Sequence, residues 1–247
     1  MAVELTSLKG KRVLVSGGTT GIGRATVAQL AEAGAQILTF GRHAAELEDS
    51  LAHAHQYSDR VYGLVADASL KAGIEKVFSE VDSQLGGLDI LVANAGLGAE
   101  GAQDTPDDEW RNAVETNFVG YIASAREAIK RFRTSGGGHI VFVGSISAEA
   151  QSPGTSVYAA TKAGIATYAK TLRKEVMEEN IKVTLVEPGS VGADMQEKTP
   201  SEQKGAIEKH EMLYAEELAD TILFALTRSP RTDVSVMRVE PRVQNRN

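Results

Sequence analysis

Short apolar runs rich in β-branched residues alternate along this chain with longer stretches whose apolar side chains recur every three or four positions. The short runs are Arg12 to Val15, Gln36 to Phe40, Val61 to Val65, Ile90 to Ala93, Ile140 to Val143, Val183 to Val186 and Val234 to Val239. The longer ones are Arg24 to Ala33, Leu70 to Leu85, Trp110 to Phe132, Val157 to Glu179 and Glu216 to Leu226. The second spacing is the helical period, whereas a run such as Ile140-Val141-Phe142-Val143 lacks polar alternation and predicts a strand covered on both faces. The rhythm therefore predicts an α/β protein, a doubly wound parallel sheet with helices on both sides and crossovers long enough to be right-handed.

No repeat, low-complexity tract or Pro/Gly-rich linker divides the 247 residues, so a single domain over 1–247 is expected. The polar interval Ser190 to His210, poor in β-branched residues and holding Pro200 and Gly205, is the candidate substrate lid, extending to residues 190–212. A formal charge of -7 without a dense Lys/Arg run argues against nucleic acid as a partner. Met1 to Lys11 carries Glu4 and Lys9 and no long apolar core, so no signal peptide or membrane span is expected, and the protein reads as cytoplasmic. Cysteine is absent, which removes disulfides and thiolate chemistry and leaves redox work to a cofactor.

Ser16-Gly17-Gly18-Thr19-Thr20-Gly21-Ile22-Gly23 follows the first strand run and opens a helical pattern. Glycines there let the backbone turn and approach a pyrophosphate, while a helix amino terminus supplies unpaired N–H groups, so this loop is the candidate dinucleotide site. The second strand run ends in Thr39-Phe40-Gly41-Arg42-His43, without the carboxylate that would accept from the ribose hydroxyl of NAD. Gly41 removes charge and bulk and Arg42 offers a planar fork for a phosphate, which selects NADP(H), with His43 close by. A solvated loop arginine is the competing reading of Arg42. Asp67, followed by Ala68, could accept from the adenine amino group or cap a helix. Asn94-Ala95-Gly96 places an amide and a small-residue floor at the carboxyl edge of the sheet.

Tyr158 and Lys162 stand one helical turn apart on one face. An ammonium beside a phenol favours the phenolate, so the pairing predicts a tyrosine acidified toward working pH, a usable acid and base. Ser145 ends the buried run at the sheet edge, and Asn117 is an amide inside an otherwise helical pattern.

Taken with Pro188-Gly189, these pieces make the chain similar, over almost its whole length, to the short-chain dehydrogenase/reductase family. The resemblance implies a Rossmann fold and a hydride exchanged between NADP(H) and a small carbonyl or alcohol. Tyr158 would pass the proton, Ser145 would hydrogen-bond the same oxygen, and Lys162 would hold the nicotinamide ribose. Asn117 would help hold a water relaying protons from Lys162. Pro188, Gly189 and Val191 would wrap the nicotinamide, and homotetramers or dimers would form through the two long helices. Ala193 replaces a frequent threonine, which leaves local cofactor contacts weaker or supplied near Asp194. The ending Arg238 to Gln244, with Leu223 to Leu226, resembles the NADP-dependent branch that oxidises serine and other 3-hydroxy acids.

Leu97, Gly98, Gln151, Pro153, Val157, Met195, Met212 and Leu213 are the candidate pocket residues, a mostly apolar set. His53 and His55 point to different helix faces and no metal is expected. Thr105 is expected to cap a helix whose first turn holds Pro106 and the following acids. Two other functions remain open. A catalytically idle dinucleotide sensor or scaffold would not need a tuned phenol, and a nucleotide-sugar epimerase or dehydratase would need a larger substrate domain.

Overall fold

The computed structural model describes residues 4–192 and 199–244. Seven strands, β1 (Arg12–Ser16), β2 (Gln36–Gly41), β3 (Val61–Val65), β4 (Ile90–Ala93), β5 (Gly138–Val143), β6 (Ile181–Pro188) and β7 (Val236–Val239), form one sheet in the order β3-β2-β1-β4-β5-β6-β7. All six pairings are parallel. This is the doubly wound arrangement, and the order reverses between β1 and β4, which opens a crevice at the carboxyl ends of those two strands.

The uninterrupted apolar runs explain the two cores. Within β1, Leu14 faces one layer of helices while Val13 and Val15 face the other. On the first side pack α3 (Lys71–Glu80), α5 (Gly120–Ser135) and α7 (Ser156–Val176), through residues such as Phe78, Phe132 and Ile165. On the second lie α1 (Gly21–Glu32) and α9 (Ala215–Thr227), through Val27, Leu30, Leu218 and Ile222.

Several expectations are corrected. The helix α2 (Ala44–Ala54) is hidden from periodicity because it buries only Leu47, Ser50 and Ala54. The run from Leu70 to Leu85 is α3 followed by a π turn at Val81–Leu85, ended by Gly86 at φ 66. Thr105 does not cap α4 (Asp107–Val114): Pro106 is the cap residue, and the Thr105 hydroxyl donates backwards to the Gly101 carbonyl at 3.0 Å. The lid interval contains α8 (Pro200–Glu208), opened by a capping box between Thr199 and Glu202. The last strand run starts at Val236 rather than Val234. Ala193, Asp194 and Met195 lie outside the described residues.

Candidate active site

At the reversal of strand order, backbone meets backbone. Gly17 leaves β1 at φ +65, and Asn94, just past β4, donates its side-chain amide to the Gly17 carbonyl at 3.0 Å and the Ser16 carbonyl at 3.3 Å. A Cβ on Gly23 would lie 2.0 Å from the Gly17 oxygen and 2.5 Å from the Asn94 amide nitrogen, so glycine is required there by contact. Ser16, which sequence reading passed over, accepts from the backbone N–H groups of Asn94 and Ala95 at 2.9 and 3.1 Å. The asparagine thus braces the loop. Its neighbour Gly96 lies beside Asn117 and Lys162.

Thr20 precedes α1 without a side-chain cap, and the first turn holds no acid, so neither Thr20 nor a first-turn acid satisfies its N–H groups. Ile22 packs inward. Thr19, Thr20, Gly21 and Arg24 line an open cavity of about 390 Å³ with Glu46, Asp49, Gly192, Pro200 and Gln203. Arg24 pairs with Asp49 at 2.8 Å, and among the described residues its buried Nε has no partner. An uncapped helix start beside an unsatisfied guanidinium nitrogen is a donor set that fits a pyrophosphate.

Gly41 has a packing reason of its own, since a Cβ there would stand 2.5 Å from the Thr19 methyl. Arg42 and His43 are exposed beside it. Thr19 also donates to Glu46 at 3.4 Å, bringing a carboxylate to this end from the first turn of α2. No spacing rule pointed to Glu46. Asp67 is not a helix cap: one oxygen accepts from the Ser69 N–H and hydroxyl at 2.8 and 2.7 Å, while Leu70 caps α3. Ala68 packs against the core next to it.

The other end of the crevice gathers side chains. Tyr158 and Lys162 share α7, with the Lys162 nitrogen 5.6 Å from the Tyr158 ring centroid. Lys162 is 3% exposed and donates to the Val143 carbonyl at 3.0 Å. Burial lowers its pKa to about 8. The acidified phenol expected from sequence is not found: burial raises the Tyr158 pKa, and a hydrogen bond with Ser145 only partly offsets it. The cause is desolvation of the phenol in the interior, while the Lys162 ammonium donates to the Val143 carbonyl.

Ser145 follows β5, donates to the Ser147 hydroxyl at 3.1 Å and accepts from the Ser147 N–H at 3.1 Å. The Ile146 N–H donates to the Pro188 carbonyl at 3.0 Å, tying this turn to Pro188-Gly189. Val191 bridges Leu213, and the Gln244 side chain accepts from the Ser190 N–H at 3.0 Å. Gln151 and Pro153 are exposed at the rim, with Val157 half-buried.

Asn117 sits in a π turn, Glu115–Val119, between α4 and α5. Its amide is closed on Leu97, accepting from the Leu97 N–H at 2.7 Å and donating to the Leu97 carbonyl at 2.8 Å. It also donates to Thr161 at 3.3 Å, whose hydroxyl donates to the Tyr158 carbonyl at 2.8 Å. The side chain therefore clamps the turn after β4 to α7. Thr161 and Tyr121 were missed because a polar residue inside a helical period carries no signal of what it meets.

Residues 11–204 match the model of the short chain dehydrogenase family. The chain belongs to the short-chain dehydrogenase/reductase family. It is 32% identical over 201 residues to a 3-oxoacyl-[acyl-carrier-protein] reductase of Haemophilus influenzae, covering 81% of this chain and 82% of the relative. An uncharacterized oxidoreductase of Staphylococcus aureus is 29% identical over 240 residues, covering 96% and 100%. Among solved structures, a short-chain dehydrogenase of Burkholderia cenocepacia in complex with NADP superposes with TM-score 0.84 at 26% identity, covering 96% and 98%. The L-sorbose reductase of Gluconobacter frateurii, complexed with NADPH and L-sorbose, gives 0.85 at 26%, covering 98% of each. This family member has an oxidoreductase fold of the nicotinamide-dependent type. Among the described residues, no helix is long and apolar enough to cross a membrane and no cluster of three His, Asp or Glu could hold a metal.

Proposed function

We propose that this chain is an NADP(H)-dependent oxidoreductase that interconverts a carbonyl and a secondary alcohol by hydride transfer. The observation that carries the reading is the convergence of Ser145, Tyr158 and Lys162 at the sheet edge, beside an uncapped helix start suited to a pyrophosphate. The nicotinamide, when bound, supplies or takes up the hydride. Tyr158, with its pKa raised, keeps its proton at neutral pH, the form that donates to a carbonyl oxygen in reduction. Ser145 hydrogen-bonds the same oxygen. Lys162 holds the nicotinamide ribose, Asn117 keeps the turn after β4 against α7, and Pro188, Gly189 and Val191 wrap the nicotinamide.

NADP is favoured over NAD by the missing carboxylate at the end of β2 and by the NADP and NADPH found in similar structures. The apolar residues Leu97, Val157, Met212 and Leu213 suit small ketones and 3-hydroxy acids. A homo-oligomer, tetramer or dimer, belongs to the same reading, and Val119, 42% exposed in the turn between α4 and α5, supports it.

The deciding measurement is NADPH consumption with a panel of carbonyl compounds. Tyr158→Phe should lower kcat by about 10²- to 10⁴-fold with the fold intact. Wild-type activity that survives Tyr158→Phe unchanged would remove the mechanism, and nucleotide binding without turnover of any carbonyl would favour an idle sensor. Arg42→Ala should raise KM for NADPH about tenfold and leave KM for NADH in place, as loss of one charge-assisted phosphate contact implies. Equal changes for both nucleotides would remove the NADP assignment.

A further inference from the structure

Tyr121 is buried beneath the reacting groups with no part in the scheme above. It is 2% exposed on α5, and its ring stacks on Phe142 at 6.0 Å and 19°. Its hydroxyl donates to the Val143 carbonyl at 3.2 Å, the oxygen that also accepts from Lys162 at 3.0 Å. The Lys162 nitrogen lies 5.5 Å from the Tyr121 ring centroid and 5.6 Å from that of Tyr158, so both rings face the ammonium at similar range. Val143 is one residue beyond the β4–β5 register, which ends at Ala93 opposite Phe142. A phenylalanine would fill the same volume without a hydroxyl to satisfy, because a buried hydroxyl is unfavourable unless bonded.

A carbonyl oxygen has two lone pairs, and here two donors share them. If Lys162 left to bind a ribose, a carbonyl with no second donor would be stranded in the core, which opposes the move. We propose that Tyr121 is a positioning residue for Lys162: its hydroxyl keeps the Val143 carbonyl satisfied, so that the ammonium can be released toward a bound nicotinamide nucleotide. The inference rests on the nucleotide site proposed above. The titratable groups facing the ammonium are Tyr121 from α5 and Tyr158 from its own helix, and burial is the cause that moves the Lys162 pKa. Ser145 and Asn117 nearby are neutral.

Tyr121→Phe keeps the ring and removes the hydroxyl. Calorimetric titration with NADPH should show about tenfold weaker binding, the equivalent of one lost hydrogen bond, with kcat at saturating nucleotide little changed. In a Lys162→Ala background the same substitution should leave the affinity where it was, because no ammonium has to move. Binding by Tyr121→Phe as tight as wild type, or an equal loss in both backgrounds, overturns the role. Should the variant fail to fold, carbon NMR of the Lys162 Cε in the wild-type protein replaces it. That resonance should shift on NADPH saturation while the Tyr121 ring signals stay in place, and an unmoved Lys162 resonance overturns the inference. A wild-type protein that binds neither NADPH nor NADH sinks the site itself, whereas normal wild-type binding with an indifferent Tyr121→Phe sinks only Tyr121.

Discussion

The two ends of β5 each bury a base, and only one gathers groups that suit chemistry. At the carboxyl end stands Lys162, lowered to about 8 by burial. At the amino end stands His139, 8% exposed and lowered to about 3, mainly by burial and also by Lys182. A cavity of about 240 Å³ lies there, lined by residues that include Lys11, Asp89, His139 and Lys182. Yet several of the groups there already have partners. Lys182 donates to the Ser229 and Thr232 carbonyls at 2.9 and 2.7 Å, and Arg12 bridges Asp89 at 2.7 Å. The Thr184 hydroxyl donates to the Val234 carbonyl at 2.7 Å, so it accepts at 2.8 Å from His139 Nε2, which must carry the ring proton. A displaced pKa and a cavity do not make a site. The carboxyl end differs in holding an ammonium on a carbonyl that a second donor can satisfy.

The largest effect expected from this contrast is on stability. Lys162 has a folded pKa of about 8 against an ordinary value of 10.5, so below pH 8 the folded state carries an ammonium that the unfolded chain holds more comfortably. Stability should therefore rise as pH climbs from about 8 to 10.5, where the folded state has already released the proton and the unfolded chain has not. Lys162→Met should abolish turnover and stabilise the protein at neutral pH, read from the denaturant midpoint. A less stable variant would mean that the Val143 bond outweighs burial, and the two ends would then be alike.

A smaller effect belongs to His139. With its folded pKa of about 3 below the ordinary value of 6.5, acid protonates the unfolded chain first, so stability falls as pH drops from 6.5 toward 3. At pH 5 the loss amounts to about 2 kcal/mol. His139→Gln, which can still donate to Thr184, should flatten that acid limb while leaving NADPH turnover unchanged. An altered KM would show that the amino end communicates with the site, and the contrast would fail.

Much of this was legible in the residues. The strands were visible because buried parallel strands write themselves as unbroken apolar runs, and Ile140 to Val143 is such a run. The candidate residues Gly17, Asn94, Asn117, Ser145, Tyr158 and Lys162 come to one crevice because each follows a strand or lies on a helix whose position the alternation dictates. Helix α2 was not legible, since its surface is mostly exposed and its apolar stripe is thin. Thr161, Ser147 and Glu46 were not legible either, because each acts through a partner distant in sequence or through a turn geometry without a spacing signature.

Sequence alone determined the layered α/β architecture, the strand-to-helix loop at Gly17 and the shared face of Tyr158 and Lys162, because periodicity and i to i+4 spacing are local properties. Tertiary structure alone decided where the ammonium points. Val143, on a strand, accepts from Lys162, Tyr121 on a second helix shares that carbonyl, and burial raises the Tyr158 pKa. Charge in a protein interior answers to whatever surrounds it in space, and neighbours in space are not neighbours in the chain.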